Sequence, residues 1–334
     1  LRPEKVPQWP QAQPGRFCPT HYRYSPEVFT RLPEIQAETL YVIGGLYGNS
    51  CALEAIERLA AAEREPVTLV FNGDFNWFNA DPAGFERINS RVLQFRAVRG
   101  NVETELANDD NAAGCGCAYP ESVGDVEVAR SNAIEERLRN TARLFPELRS
   151  NLGALPMCAA ARVGGLRVGI VHGDAEWLAG WGFARDALDD PARRNWIEEC
   201  FAQSGARIFA SSHTCLPACR SFVTPAGACA VINNGAAGMP NFAGSQHGII
   251  TRIAGLPSAG SLYGVEIDGV HVEALAIHYD QESWLNEFLQ NWPPGSPAHM
   301  SYWNRLVSGT GMALAAAVPA VPRTDEPQAR RTGT

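Results

Sequence analysis

A series of short apolar runs, each closed by glycine or a polar residue, most constrains how this 334-residue chain can fold. The runs are Leu40–Ile43, Val67–Phe71, Phe95–Val98, Leu166–Val171, Arg207–Ala210 and Ala228–Ile232. Each has the length and β-branched bias of a buried strand. From Asn49, the apolar positions Leu53, Ile56, Leu59 and Ala60 keep helical spacing to about Glu63. A second helix is expected from Asn132, with Glu135 completing a capping box and Ile134, Leu138, Ala142 and Phe145 on its buried face. It lies inside an insertion, residues 104–158, between two of the strands. After Ile249 the pattern becomes ITRI, LYGVEI and VHVEALAI with an Asp-Gly turn at 268–269. Strand–helix alternation followed by antiparallel strands predicts an α/β fold of two sheets with helices outside.

The flanks read differently. Residues 1–36 are expected as an extended, Pro-rich arm, 37–305 as the folded domain, and 312–334 as a disordered, low-complexity tail. Composition removes several chemistries. Lys5 is the only lysine among 28 Lys+Arg, so neither a lysine phosphate loop nor a Schiff-base enzyme can be built. A formal charge of −8 argues against nucleic-acid binding by counterion release. No apolar run reaches about 18 residues, which predicts no membrane span. The opening LRPEKVPQWPQAQPG lacks an apolar signal region, and the nine cysteines are odd in number. A reducing cytoplasm is the expected location, with thiols free or metal-bound.

In such folds ligands sit beyond the carboxyl ends of strands. The residues there are Gly45-Leu46-Tyr47-Gly48-Asn49, Gly73-Asp74, Gly100-Asn101-Val102-Glu103, His172-Gly173-Asp174, Ser212-His213-Thr214-Cys215 and Asn233-Asn234-Gly235. As the blocks GGLYGN (44–49), FNGDF (71–75), VRGNVE (98–103), VHGD (171–174) and SSHTC (211–215), they resemble the calcineurin-like metallophosphoesterases from about Tyr41 to Gly238. The likeness is to a divergent, small bacterial phosphodiesterase-like branch. It implies two stacked mixed β-sheets flanked by helices, a four-layer αββα sandwich, with a helical insertion. It also implies one complete metal set, Asp74, Asn101, His172 and His213, with Asp74, Asn101 and His172 catalytic. The other set is degraded: Gly45 stands for an Asp, Tyr47 for a His and Cys215 for the last His.

The residue chemistry agrees with that division. Two imidazoles, a carboxylate and an amide oxygen suit one divalent Fe, Mn or Zn with open positions for water. A second, weaker ion would depend on Cys215 as thiolate or Tyr47 as phenolate. The bland alternatives are a buried thiol and an aromatic lid. Gly48 and Asn49 open a helix, where amides either hold a phosphate oxygen or simply cap it. Asp174 and Glu103 are candidates to bind substrate, orient ligands or donate a proton. Cys115 and Cys117, in NAAGCGCAYP, read as incidental thiols in a flexible loop, as a metal clip, or as part of an insertion folded over the site. Arg137, Arg139 and Arg143 read as a solvated helix face.

The expected activity is metal-dependent hydrolysis of a small-molecule phosphoric ester. Val102 stands where many relatives place a leaving-group acid, which favours a phosphodiester over a monoester. The alternatives are a mononuclear, oxygen-activating iron enzyme built on Asp74, His172 and His213, or a metal-binding protein that has lost turnover. Trp284, Trp292, Tyr302 and Trp303 within 279–305 would shape a pocket or a homodimer face.

Overall fold

The computed structural model describes residues 13–318. Its strands are β1 (Glu34–Gln36), β2 (Thr39–Ile43), β3 (Val67–Asn72), β4 (Arg96–Val98), β5 (Cys158–Val163), β6 (Leu166–Val171), β7 (Ile208–Ser211), β8 (Pro217–Thr224), β9 (Gly227–Asn234), β10 (Gly248–Ala254), β11 (Ser261–Ile267) and β12 (Val270–Ile277). Its α-helices are α1 (Ser50–Ala61), α2 (Pro82–Val92), α3 (Asn101–Ala107), α4 (Asp125–Ala142), α5 (Pro146–Ala154), α6 (Arg185–Asp189), α7 (Arg194–Ser204), α8 (Gln281–Asn291) and α9 (Pro297–Ser308).

The strands form two six-stranded mixed sheets, ordered β11-β12-β10-β2-β3-β4 and β1-β5-β6-β7-β9-β8. Each contains a parallel trio, β2-β3-β4 in one and β6-β7-β9 in the other. Alternation along the strands explains the layering. Leu40 and Val42 of β2 face Val168, Ile170 and Ile208 of the opposite sheet. Tyr41 and Ile43, one residue out of phase, pack on Leu53 and Ile56 of α1. On the far side Val171, Phe209 and Val231 meet Ile197 and Phe201 of α7. Strands buried on both faces read as continuous apolar runs, which is why they were visible in the sequence. The expected sandwich, with helices α3–α5 inserted between β4 and β5, is the observed one.

Local chemistry sets the element ends. Asn49 accepts the Ala52 amide at 2.9 Å and starts α1. Asp268 and Gly269 both take positive φ, 46° and 80°, in the β11–β12 turn. Helix α4 begins at Asp125, not Asn132: Gly124 precedes it, and Asp125 and Glu127 favour its positive end. Asn132 instead accepts the Cys115 amide and donates to the Pro14 carbonyl. Ile134, Leu138 and Ala142 are buried as expected, whereas Phe145 lies past the helix and stacks on Phe85.

The flanks are corrected where they are described. Tyr22 and Phe29 are fully buried, and β1 pairs in parallel with β5, so 13–36 is part of the domain rather than an extended arm. At the other end Ala317 is buried and accepts the Cys219 amide, so the expected tail is packed as far as residue 318. Residues 1–12, with Lys5, and 319–334 lie outside the described residues. Trp284 and Trp292 are core side chains, whereas Tyr302 and Trp303 are partly buried. No helix among the described residues is long and apolar enough to cross a membrane.

Candidate metal centre

The two parallel trios deliver their carboxyl ends to one place. Asp74 follows β3 and Asn101 follows β4, both in one sheet; His172 follows β6 and His213 follows β7 in the other. His172 Nε2 lies 3.3 Å from Asp74 Oδ2, 3.1 Å from Asn101 Oδ1 and 3.2 Å from His213 Nδ1. One ligand atom each from Asp74, His172 and His213 falls within 4.8 Å of the others, and all three residues are buried.

The outward contacts decide what the inner atoms can do. His172 Nδ1 is 2.9 Å from the Asn72 carbonyl, and His213 Nε2 is 3.0 Å from the Cys117 carbonyl. A carbonyl only accepts, so those nitrogens carry the hydrogens and the inner nitrogens present lone pairs. Asn101 Nδ2 donates to the Cys115 carbonyl at 2.9 Å, which turns its Oδ1 inward. A carboxylate, an amide oxygen and two imidazole lone pairs therefore converge, a donor set that fits a divalent transition ion.

Electrostatics agree. Burial would raise the Asp74 carboxyl, but the His172 charge and hydrogen bond outweigh it and hold the group below its ordinary value. Burial and the neighbouring His172 push His213 down to about 4, so it offers a neutral imidazole. Burial opposes charge on His172 too, yet Asp74 raises it overall. A proton and an ion thus compete for His172 Nε2, and metal affinity falls as pH falls.

No family model matches the sequence, and no curated protein does. Solved structures do match. A hypothetical protein from Pyrococcus horikoshii superposes with a TM-score of 0.54 at 17% identity, covering 82% of this chain and 99% of its own. A metallophosphoesterase from Sphaerobacter thermophilus gives 0.51 at 17% identity, covering 81% and 100%. The chain has the metallophosphoesterase fold. At that identity the likeness is one of architecture, and the site must be argued from its own residues.

Within this metallophosphoesterase fold the insertion closes over the metal set. Its Cys115 and Cys117 carbonyls hold Asn101 and His213, and the Cys117 carbonyl also accepts Trp181 Nε1 at 3.1 Å. The loop is therefore no flexible carrier of incidental thiols, and its sulfurs are not among the clustered ligand atoms. The segment before β1 straps it down: the Gly15 amide donates to Ala113 and the Tyr119 amide to Gly15, each at 2.8 Å. Gly116, at φ 65°, has no room for a side chain, because a Cβ would stand 2.4 Å from Tyr22 Oη. Gly116→Ala should shift both carbonyls and weaken metal binding about 10–100-fold, the range for lost outer-shell support. Metal titration of the purified variant checks this.

The degraded half is built over. Tyr47 is 2% exposed, and a Cβ on Gly45 would lie 2.8 Å from its Cζ and Oη. Tyr47 Oη sits 2.7 Å from Cys215 Sγ, so these two candidate ligands face each other. Burial pushes the Tyr47 phenol well above its usual range and raises the Cys215 thiol. Non-glycine residues with positive φ gather here: Tyr47, Asp74, Ala118 and Cys215, leaving only the hairpin residue Asp268 elsewhere among the described residues. Backbone strain of this kind concentrates at functional sites.

The four residues expected to touch substrate do other work. The Gly48 amide donates to Phe75 and the Asn49 amide to Leu46, so no oxyanion cradle is open there. Asp174 accepts the amides of Glu176, Trp177 and Gly182 and shapes the loop after β6. Glu103 accepts the amides of Asp74, Phe75 and Gly100 at 2.7, 3.0 and 3.0 Å, fixing the strained turn that aims Asp74.

Beside the metal set lies a cavity of about 150 Å³. Trp77, Tyr119, Trp181 and Tyr302 form its aromatic walls, with Val102, Cys117 and Thr214 between them. Among the described residues, no lysine or arginine side chain lines it. Of these walls only Tyr302 was suspected from sequence. Trp77 and Trp181 stand in irregular loops, and their one signal was closeness in sequence to Asp74 and His172.

Proposed function

We propose that the protein is a metal-dependent phosphoric ester hydrolase whose preferred substrate is a small phosphodiester. The observation that carries this reading is the convergence of Asp74, Asn101, His172 and His213 at the strand ends of a metallophosphoesterase fold. An Fe, Mn or Zn ion held by them would acidify a water and polarise a phosphoryl oxygen. The chain contributes orientation: the Asn72 and Cys117 carbonyls hold the imidazole tautomers, and Glu103 aims Asp74. Its aromatic walls would flank the ester arm of a bound substrate.

Charge argues for the diester. A phosphomonoester is close to a dianion at neutral pH, and among the described residues no lysine or arginine lines this cavity to offset it, Arg305 being turned to the Cys215 carbonyl. A diester carries one negative charge, and the aromatic walls suit an apolar ester arm. The test is to load the protein with Mn, Fe or Zn and assay a bis-aryl phosphate against the matching aryl monophosphate. Faster diester cleavage is expected, and no turnover with any of the three metals would sink the proposal.

The trio of two histidines and one carboxylate also favours a second reading, a mononuclear iron enzyme that activates oxygen. Oxygen consumption by the iron-loaded protein without ester hydrolysis would select it.

A further inference from the structure

The metal set does not account for Tyr47. Its backbone is held at φ 56°, a conformation unfavourable to a bulky residue. The ring is clamped between Gly45, whose missing Cβ makes the space, and Phe78, with centroids 5.8 Å apart. Tyr47 lines the cavity that Asp74, Asn101 and His213 also line. For packing alone phenylalanine would serve better, because burying a hydroxyl against a thiol replaces water with a weak partner.

Two other polar groups at the cavity are committed elsewhere. Trp181 Nε1 donates to the Cys117 carbonyl, and Tyr119 Oη pairs with Ser131 at 3.0 Å. The Cys215 thiol has its own acceptor in the His213 carbonyl at 3.2 Å. Tyr47 Oη–H is held in place by sulfur yet free to turn to a stronger acceptor, and the Thr214 and Tyr302 hydroxyls line the same cavity.

We propose that Tyr47 Oη donates a hydrogen bond to a non-bridging phosphoryl oxygen of the substrate, stabilising the charge that builds there during displacement. This deepens, and rests on, the reading as a phosphoester hydrolase. Tyr47 is then a catalytic residue rather than a metal ligand, and the centre works with one ion and one phenol.

The test compares metal-loaded wild type with Tyr47→Phe, which keeps the ring over Gly45 and removes only the hydroxyl. Metal stoichiometry and unfolding temperature are read first, then inorganic phosphate binding by calorimetry and kcat on the bis-aryl phosphate. The expected result is unchanged metal content, an unfolding temperature no lower than wild type, phosphate binding weaker by about tenfold, and kcat lower by about 100-fold. Loss of metal from Tyr47→Phe would make the residue a ligand and overturn the proposal. Equal kcat and equal phosphate binding in the two proteins would overturn it as well, while leaving the hydrolase reading intact. A wild-type protein that neither binds phosphate nor cleaves the diester overturns the hydrolase reading itself, and this proposal with it.

Discussion

Asp74→Asn should leave the protein folded and unable to hold its metal. Asparagine is the informative replacement because Asp74 sits at φ 53°, a conformation that asparagine adopts more readily than alanine. The amide oxygen can still accept from the Val102 amide, 3.3 Å away in the native protein, so the turn keeps its internal contact. Charge is what disappears, and the remaining donors, two imidazoles and an amide, are neutral. We expect metal affinity to fall by more than about 100-fold, beyond the loss typical of an outer-shell partner, and hydrolysis to vanish with it. Elemental analysis after dialysis, with circular dichroism as the fold control, gives the answer. Wild-type stoichiometry in the variant would mean that the ion is held somewhere else.

Arg139→Met should be the most destabilising change away from the centre. Arg139 is 4% exposed and bonds Glu105 at 2.7 Å and the Asp110 carbonyl at 2.9 Å. Glu135, also buried, has neither carboxylate oxygen hydrogen-bonded and lies 3.7 Å from Arg139 Nε. Removing the guanidinium strands two buried carboxylates, which typically costs about 3–5 kcal/mol. The sign of the pH effect follows from the acids. Burial raises both Glu105 and Glu135 above their ordinary value, although Arg139 pulls each back. A raised carboxyl stabilises the fold while it is protonated, below its unfolded value, and that contribution is lost as pH rises through the folded one. The variant's deficit should therefore be larger at pH 8 than at pH 5 in urea unfolding. A deficit independent of pH would mean that lost packing, not stranded charge, is the cause.

Arg139 also marks where the sequence stopped being readable. Arg137 and Arg143 are exposed, as a charged helix face predicts, and Arg137 lies over the Trp292 ring at 4.4 Å. Only the packing of α3 against α4 places Glu105 opposite Arg139, and no local pattern encodes that meeting. The metal set was legible for the opposite reason: parallel strands end in a fixed order, and each end carried its ligand beside the run that announced it. Strand β8 was hidden because Pro217 and Arg220 break its apolar character. Helix α2 was readable and overlooked, since Asp81 followed by Pro82 is a start signal. Tyr47 and Cys215, expected as candidate ligands, both line the cavity, but their contact with each other depends on the space above Gly45, a property of shape rather than of residue type.

The ligands come from both sheets and span residues 74 to 213, which ties the metal to the history of the chain. A nascent or truncated polypeptide that ends before His213 has at most three of the four donors and only part of the second sheet. Metal capture by this set would then be a late event that follows completion of its four strand ends. An ion held there would act as a rivet between layers otherwise joined by apolar side chains and a few crossing hydrogen bonds, such as those from Asn72 to the Val171 carbonyl and from Asn234 to the Ile249 carbonyl. Any agent that withdraws it should loosen the sandwich at the strand ends first, and the midpoint of unfolding should track free metal concentration.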